Sequence, residues 1–173
     1  MARSKIALLA AAMVALATQA QAGTEKSFCQ VIEENRDAYK GAAKLDNEIA
    51  RKAALDRTVA DNLTKLKTVG GDGAFKDWQA RVKKVSTHFD GSASIELELP
   101  CAAIIKTSQP SGINPGSKLF DVAAGLKVGK RIEVDGQLMP TKKGPHPFME
   151  LSVFDEGRFV SPEFVVVLAD LRP

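Results

Sequence analysis

The hydrophobic period of this chain changes once, across Val69-Gly70-Gly71-Asp72-Gly73, and that change limits the architectures open to it. Before the glycines, apolar residues recur at helical spacing. Phe28, Ile32, Tyr39 and Ala43 fall at steps of four or seven, which sets them on one stripe of a helix. Gly41 is expected to break or bend that run. Asp46 is the expected N-cap of a second helix, with Ile49, Ala53, Val59, Leu63 and Leu66 on its apolar side. Glu48, Arg51, Lys52, Asp56, Arg57 and Asp61 make up its outer face, a mixed-charge surface of the kind that i,i+4 pairs stabilise. The glycine run then stops the helix and turns the chain.

From Asp77 onward the period is two. Trp78, Ala80 and Val82 point one way; Gln79, Arg81 and Lys83 point the other. The phase slips after Lys83-Lys84, where Val85 takes the apolar side. A slip inside one strand marks a bulge. His88-Phe89-Asp90-Gly91 reads as a turn, and Ile95, Leu97 and Leu99 alternate with Glu96 and Glu98 in a second strand. Ala102 to Lys106 gives a short third strand, Thr107 to Lys118 a Pro-, Gly- and Ser-rich surface loop, and Leu119 to Leu126 a helical turn. Arg131 to Met139 alternates again, with Ile132, Val134 and Leu138 inward. Pro140 to Pro147 is a second loop, and Phe148 to Phe154 and Glu163 to Asp170 supply two more strands. Phe164 to Leu168 is apolar throughout, the pattern of a strand buried on both faces.

Ahead of the helices stands a leader. Arg3 and Lys5 give it a positive start, Ile6 to Ala17 is apolar and uncharged, and Ala20-Gln21-Ala22 is a small-x-small cleavage pattern. This is the layout of a secretory signal cut after Ala22, with Gly23 opening a mature chain that is periplasmic or secreted. The chain has 24 Lys+Arg and 21 Asp+Glu. Arg3 and Lys5 leave with the leader, so the mature balance is 22 against 21, a formal charge of +1. A nucleic-acid binder gathers a larger basic surplus on one face. Past the leader, no apolar segment is long enough to cross a bilayer.

Cys29 and Cys101 are the only cysteines. In an oxidising compartment two cysteines most often pair. Neither has further ligands at metal-binding spacing, and two free thiols, not in a Cys-x-x-Cys arrangement, are the alternative.

Residues 1–22 thus read as the leader, 23–73 as a helical segment and 74–173 as a strand-rich domain. Segregated helices and a small antiparallel sheet make the fold α+β. A bent first strand, and a short helix between the third and fourth strands, suit an OB-like barrel of five to six strands. Particular residues carry a resemblance as well. Trp78-x-Ala80-x-Val82 opens the first strand. Leu126-Lys127-Val128-Gly129-Lys130-Arg131-Ile132-x-Val134-x-Gly136 is similar to the L-x-x-G-D-x-V-x-V-x-G lead-in to the fourth strand of many bacterial OB domains. Ser161-Pro162-Glu163-Phe164 precedes the last apolar strand. Over Ala74 to Leu171 the chain resembles the exported OB-fold proteins grouped as tRNA_anti-like. Lys130 stands where an acidic residue is usual, and Ala80 where glycine is common. The resemblance implies an OB barrel; it implies no tRNA activity, because fold does not carry function.

OB domains bind ligands on a strand face flanked by the loop between strands one and two and the loop between strands four and five. Here the first loop holds His88 and Phe89, and the second holds Lys142, Lys143 and His146. Arg81 and Lys83 would lie on the strand face between. Facing Glu96 and Glu98, they form cross-strand ion pairs in the simplest reading. Trp78 and Tyr39 read as core. No nucleophile elbow, phosphate loop, dinucleotide fingerprint or His-x-x-x-His pair is present, and no cofactor or metal set is expected. The expected role is a non-enzymatic binding or adaptor protein of the cell envelope, recognising an envelope protein or a small or anionic ligand. The alternatives are oligonucleotide or anionic-polymer binding, and an enzyme or metal-binding protein using His88 and His146 with Asp90 or Glu150.

Overall fold

The computed structural model describes residues 24–107, 112–142, 146–152 and 155–173. The leader, Lys143, part of the loop after Thr107 and the end of the expected strand at 148–154 lie outside the described residues.

Two helices come first. α1 spans Glu25–Ala43, and the Thr24 hydroxyl caps it by accepting from the Ser27 amide. Gly41 does not end it. A single exposed glycine costs a helix only about 1 kcal/mol, and Ala42, beyond it, is buried. The chain turns instead at 44–47. α2 spans Glu48–Gly70, and its cap is Asn47, not Asp46; the Asn47 side-chain Oδ1 accepts from the Ala50 amide at 3.0 Å. At 23 residues α2 is about 34 Å long. Of its expected stripe only Leu66 is fully buried, and Ile49 is 82% exposed. The buried residues of α2, Leu66 and Gly70, both lie at its C-terminal end.

Five strands then close a barrel: β1 Ala74–Thr87, β2 Ala93–Glu98, β3 Ile104–Lys106, β4 Arg131–Leu138 and β5 Glu163–Arg172, in the order β1-β2-β3-β5-β4. The molecule is α+β, with the helical segment packed on an OB-like barrel. β1 shifts register against β2 between Val82 and Lys84, where the sequence phase slips. A second irregularity lies against β4 between Phe75 and Trp78, where Asp77 takes φ 55° and its amide donates to the Asp135 carboxylate. These two bulges bend one long strand enough to pair with β4 at one end and β2 at the other. The sheet is not wholly antiparallel, because β3 and β5 pair in parallel. α3 (Lys118–Gly125), capped by Ser117, lies between β3 and β4 and packs on β5 and β2.

The expected strand at 148–154 is not a ladder strand. Phe148 bridges Pro140 and Glu150 bridges Phe164, with no longer pairing among the described residues. It is followed by an unexpected helix, α4 (Asp155–Val160). The short segment still shields β5, since the Val165 amide donates to Met149. Phe164, Val165 and Val166 are therefore buried on both faces of the strand, whereas Val167, past the cover, is 47% exposed.

One core takes in both halves of the chain. Phe28 of α1 sits against Trp78 of β1 (ring centroids 5.0 Å) and Phe164 of β5 (5.4 Å). Tyr39 is not core; it is half-buried and stacks on Phe159 of α4 at 4.8 Å. Cys29 and Cys101 form a disulfide between α1 and the turn after β2, with Cα atoms 5.2 Å apart. Two turns along α1, Arg36 donates to the carbonyls of Cys101 and Val160, tying α4 to the same place. At the same open end of the hairpin, the C-terminus of α2, Gly70 lies so close under the Phe148 ring that a Cβ there would collide with it.

Where β5 ends beside the start of β4, Arg172 gathers Asp77, Glu133, Asp135 and Asp170. Its guanidinium holds the Asp135 carboxyl down to about 2. A depressed carboxylate stabilises the fold above its unfolded pKa and loses that contribution as pH falls through the folded value. Melting temperature should thus drop between about pH 4 and pH 2, and Asp135→Asn should flatten the drop while lowering stability at pH 7. The disulfide closes a loop of 72 residues, so replacing both cysteines with serine should cost about 4 kcal/mol in urea unfolding. An unchanged midpoint would show that α1 stays seated without the bond.

Candidate binding cleft

A cleft of about 750 Å³ opens between the helical hairpin and the β4–β5 connection. Ile32, Leu66, Phe148 and Phe164, all buried, contribute from α1, α2, the connection and β5. Val59 and Leu63 add to the α2 side, and Met139, Met149 and Phe159 to the other. The local sequence explains the opening. The 148–151 segment leaves the barrel surface after two bridges, and Gly70 lets α2 approach Phe148 closely at only one end. Volume and lining both fall in the range of small-ligand sites.

The charged groups in the wall are mostly compensated. The Glu150 side chain is 5% exposed; it pairs with Arg158 at 3.1 Å and accepts from the Ser152 amide at 2.8 Å. His146 donates from Nδ1 to the Phe148 carbonyl at 2.8 Å, and its ring lies 5.8 Å from that of Phe164. Burial pushes its pKa below the usual imidazole value, outweighing the Phe148 bond and the nearby Glu150, which pull it upward. At neutral pH the ring is uncharged, and its Nε2 keeps an acceptor lone pair. Lys142 is exposed at the rim.

Two polar atoms stand apart. Asn35 Oδ1, on α1, and Asn62 Nδ2, on α2, are buried with no hydrogen-bond partner among the described residues. Asn35 is 7% exposed. Both residues line the cleft, and both also line a cavity of about 80 Å³ on the other side of the hairpin. They are complementary, an acceptor and a donor, yet they do not bond to each other.

The loop reading of the sequence thus meets the structure in one place. Lys142 and His146 line this cleft; Lys143 lies outside the described residues. His88 and Phe89 sit exposed on the β1–β2 turn and do not line it, so the two histidines do not share it. Arg81 and Lys83 both reach Glu98, at 3.9 and 3.3 Å, on the outer barrel wall. Glu98 alone serves both, whereas Glu96 lies opposite Lys84 and Lys106 in the strand registers. Among the described residues no group of three or more His, Cys, Asp or Glu is placed to hold a metal ion. None of their helices is long and apolar enough to cross a membrane.

Sequence reasoning missed Asn35 and Asn62, though a signal was there. Asn35 lies between Ile32 and Tyr39 on the α1 stripe, and Asn62 between Val59 and Leu66 on that of α2. A polar residue on an apolar helical stripe asks for a partner. No family model, curated protein or solved structure matches the chain.

The His146 shift sets a pH dependence. With its folded pKa below the unfolded one, His146 favours the fold fully above about pH 6.5. That contribution is lost as pH falls through the folded value. Melting temperature should decline below pH 6.5 in the native protein and decline less in His146→Leu. Parallel profiles would show that the ring protonates without disturbing the cleft.

Proposed function

We propose that the chain is an exported, non-enzymatic binding protein and that the cleft between the helical hairpin and the β4–β5 connection holds its ligand. The observation that carries this reading is the cleft itself, an apolar space of about 750 Å³ on the connection that OB domains use for recognition. Export rests on the leader pattern ending at Ala22 and on the Cys29–Cys101 bond, which oxidising compartments maintain. A binding role rather than catalysis is supported by the state of the polar groups. The described lining contains no serine or cysteine. Its one carboxylate, Glu150, is engaged by Arg158 and Ser152. Against an anionic-polymer role, Arg81 and Lys83 share the Glu98 carboxylate, which partly neutralises the barrel wall there.

An environment-sensitive apolar dye such as N-phenylnaphthylamine should bind saturably at one site per chain. Leu63→Glu puts a charge on a half-buried position of the cleft. It should weaken dye binding at least about tenfold while leaving the melting temperature within a few degrees, since burying an unpaired charge is costly. Non-saturable dye uptake, or equal binding by the variant, would overturn the reading.

A further inference from the structure

We infer that the cleft selects a small, uncharged apolar ligand carrying a secondary amide, whose N–H donates to Asn35 Oδ1 and whose carbonyl accepts from Asn62 Nδ2. This rests on the cleft being the binding site.

Three observations lead to that ligand. First, the unmet groups come as a matched pair. Asn35 Oδ1 needs a donor and Asn62 Nδ2 needs an acceptor, and each is buried with no partner among the described residues. A buried polar group left unmatched costs about 1–3 kcal/mol, and leucine or alanine would serve as well for packing alone on these two stripes. One secondary amide offers a donor and an acceptor on neighbouring atoms. An ester or ether offers only acceptors, an alcohol only one small group, and a hydrocarbon neither.

Second, the rest of the lining asks for an apolar body. Val59, Leu63, Phe148 and Phe159 come from three different elements around the asparagines. Third, the described wall supplies no buried charge left uncompensated. Glu150 is paired, and His146 makes its bond to Phe148 as a neutral ring. Lys142 stands at the rim, exposed to solvent. A ligand with a buried charge would find no counter-ion, which disfavours it strongly.

Because the asparagines also line the 80 Å³ cavity behind the hairpin, the rival reading is structural. An internal water there would bridge the two side chains and pin α1 to α2. The two readings differ in what a shape-conserving change does. In the ligand reading the asparagines cost the free protein stability; in the structural reading they provide it.

The test uses the mature protein and two probes of nearly equal shape, N-isopentyl isovaleramide and isopentyl isovalerate. Calorimetry and dye displacement would measure both. The amide should bind at least about tenfold more tightly than the ester, although the ester is the less hydrated of the two. In Asn35→Leu and Asn62→Leu that preference should vanish, while dye binding persists and the melting temperature holds or rises. Equal binding of amide and ester by the native protein, with dye still displaced, would overturn the amide inference and leave the cleft standing. Neither probe displacing bound dye would overturn it too. A fall of several degrees in both leucine variants, with the amide preference intact, would assign the pair to the hairpin instead. Failure of the dye itself to bind would remove the cleft reading on which the inference rests.

Discussion

Everything on the surface of this protein depends on how one helix is seated. Phe28 enters the barrel core between Trp78 and Phe164, and its neighbour Cys29 is bonded to Cys101. The aromatic contact sets the depth of α1; the covalent bond and Arg36 set its position along the barrel. A helix in a folded protein takes most of its stability from packing rather than from propensity. Here it is held by burial and by a cross-link that also limits the unfolded chain. α2 has far fewer buried side chains and takes its place largely from α1, with Gly70 under Phe148 as its second anchor. The cleft opens beside the Gly70–Phe148 contact, where Val59, Leu63 and Leu66 of α2 face the β4–β5 connection.

The β4–β5 connection is the other half of that arrangement. It makes two bridges to its neighbours, forms a six-residue helix and returns. Its polar groups are tied down locally: Glu150 to Ser152 and Arg158, His146 to Phe148, and the Glu163 amide to Ser152. A loop braced in this way presents a defined wall without belonging to the sheet, as pre-formed sites generally require. The orphaned asparagines are then exceptions in a molecule that satisfies its buried polar groups with care, and exceptions of that kind ask for a reason.

Much of this was legible in the chain. Period-two alternation placed β1, β2 and β4, an unbroken apolar run placed β5, and the phase slip at Lys83-Lys84 located a real bulge, because burial on one face leaves no freedom in register. Export logic paired the cysteines. Where tertiary contacts override local signals, the sequence misled. Gly41 carried the mark of a helix end, but packing beyond it kept the helix going. Ile49 and Ala53 looked like core because a stripe records which residues share a face, not whether anything covers them. The apolar run at 148–154 read as a strand, yet the barrel closes without it. The site was half visible: Lys142 and His146 lie where the loop argument put them, while His88 and Phe89 lie elsewhere. Asn35 and Asn62 were passed over because polar residues on helices are usually solvated.

Barrel closure has one more effect. With β4 hydrogen-bonded to both β1 and β5, and β3 to both β2 and β5, the sheet wraps round on itself. Open sheets recognise other chains most cheaply by lending them an unpaired strand edge, and the same edge exposes them to self-association. A closed ring has no such edge to lend. Whatever this protein recognises through its barrel must therefore be recognised by side chains and surface shape. An extended polypeptide arriving at the barrel wall meets backbone amides that are already engaged. The barrel is in that sense deaf to strand sequences in general.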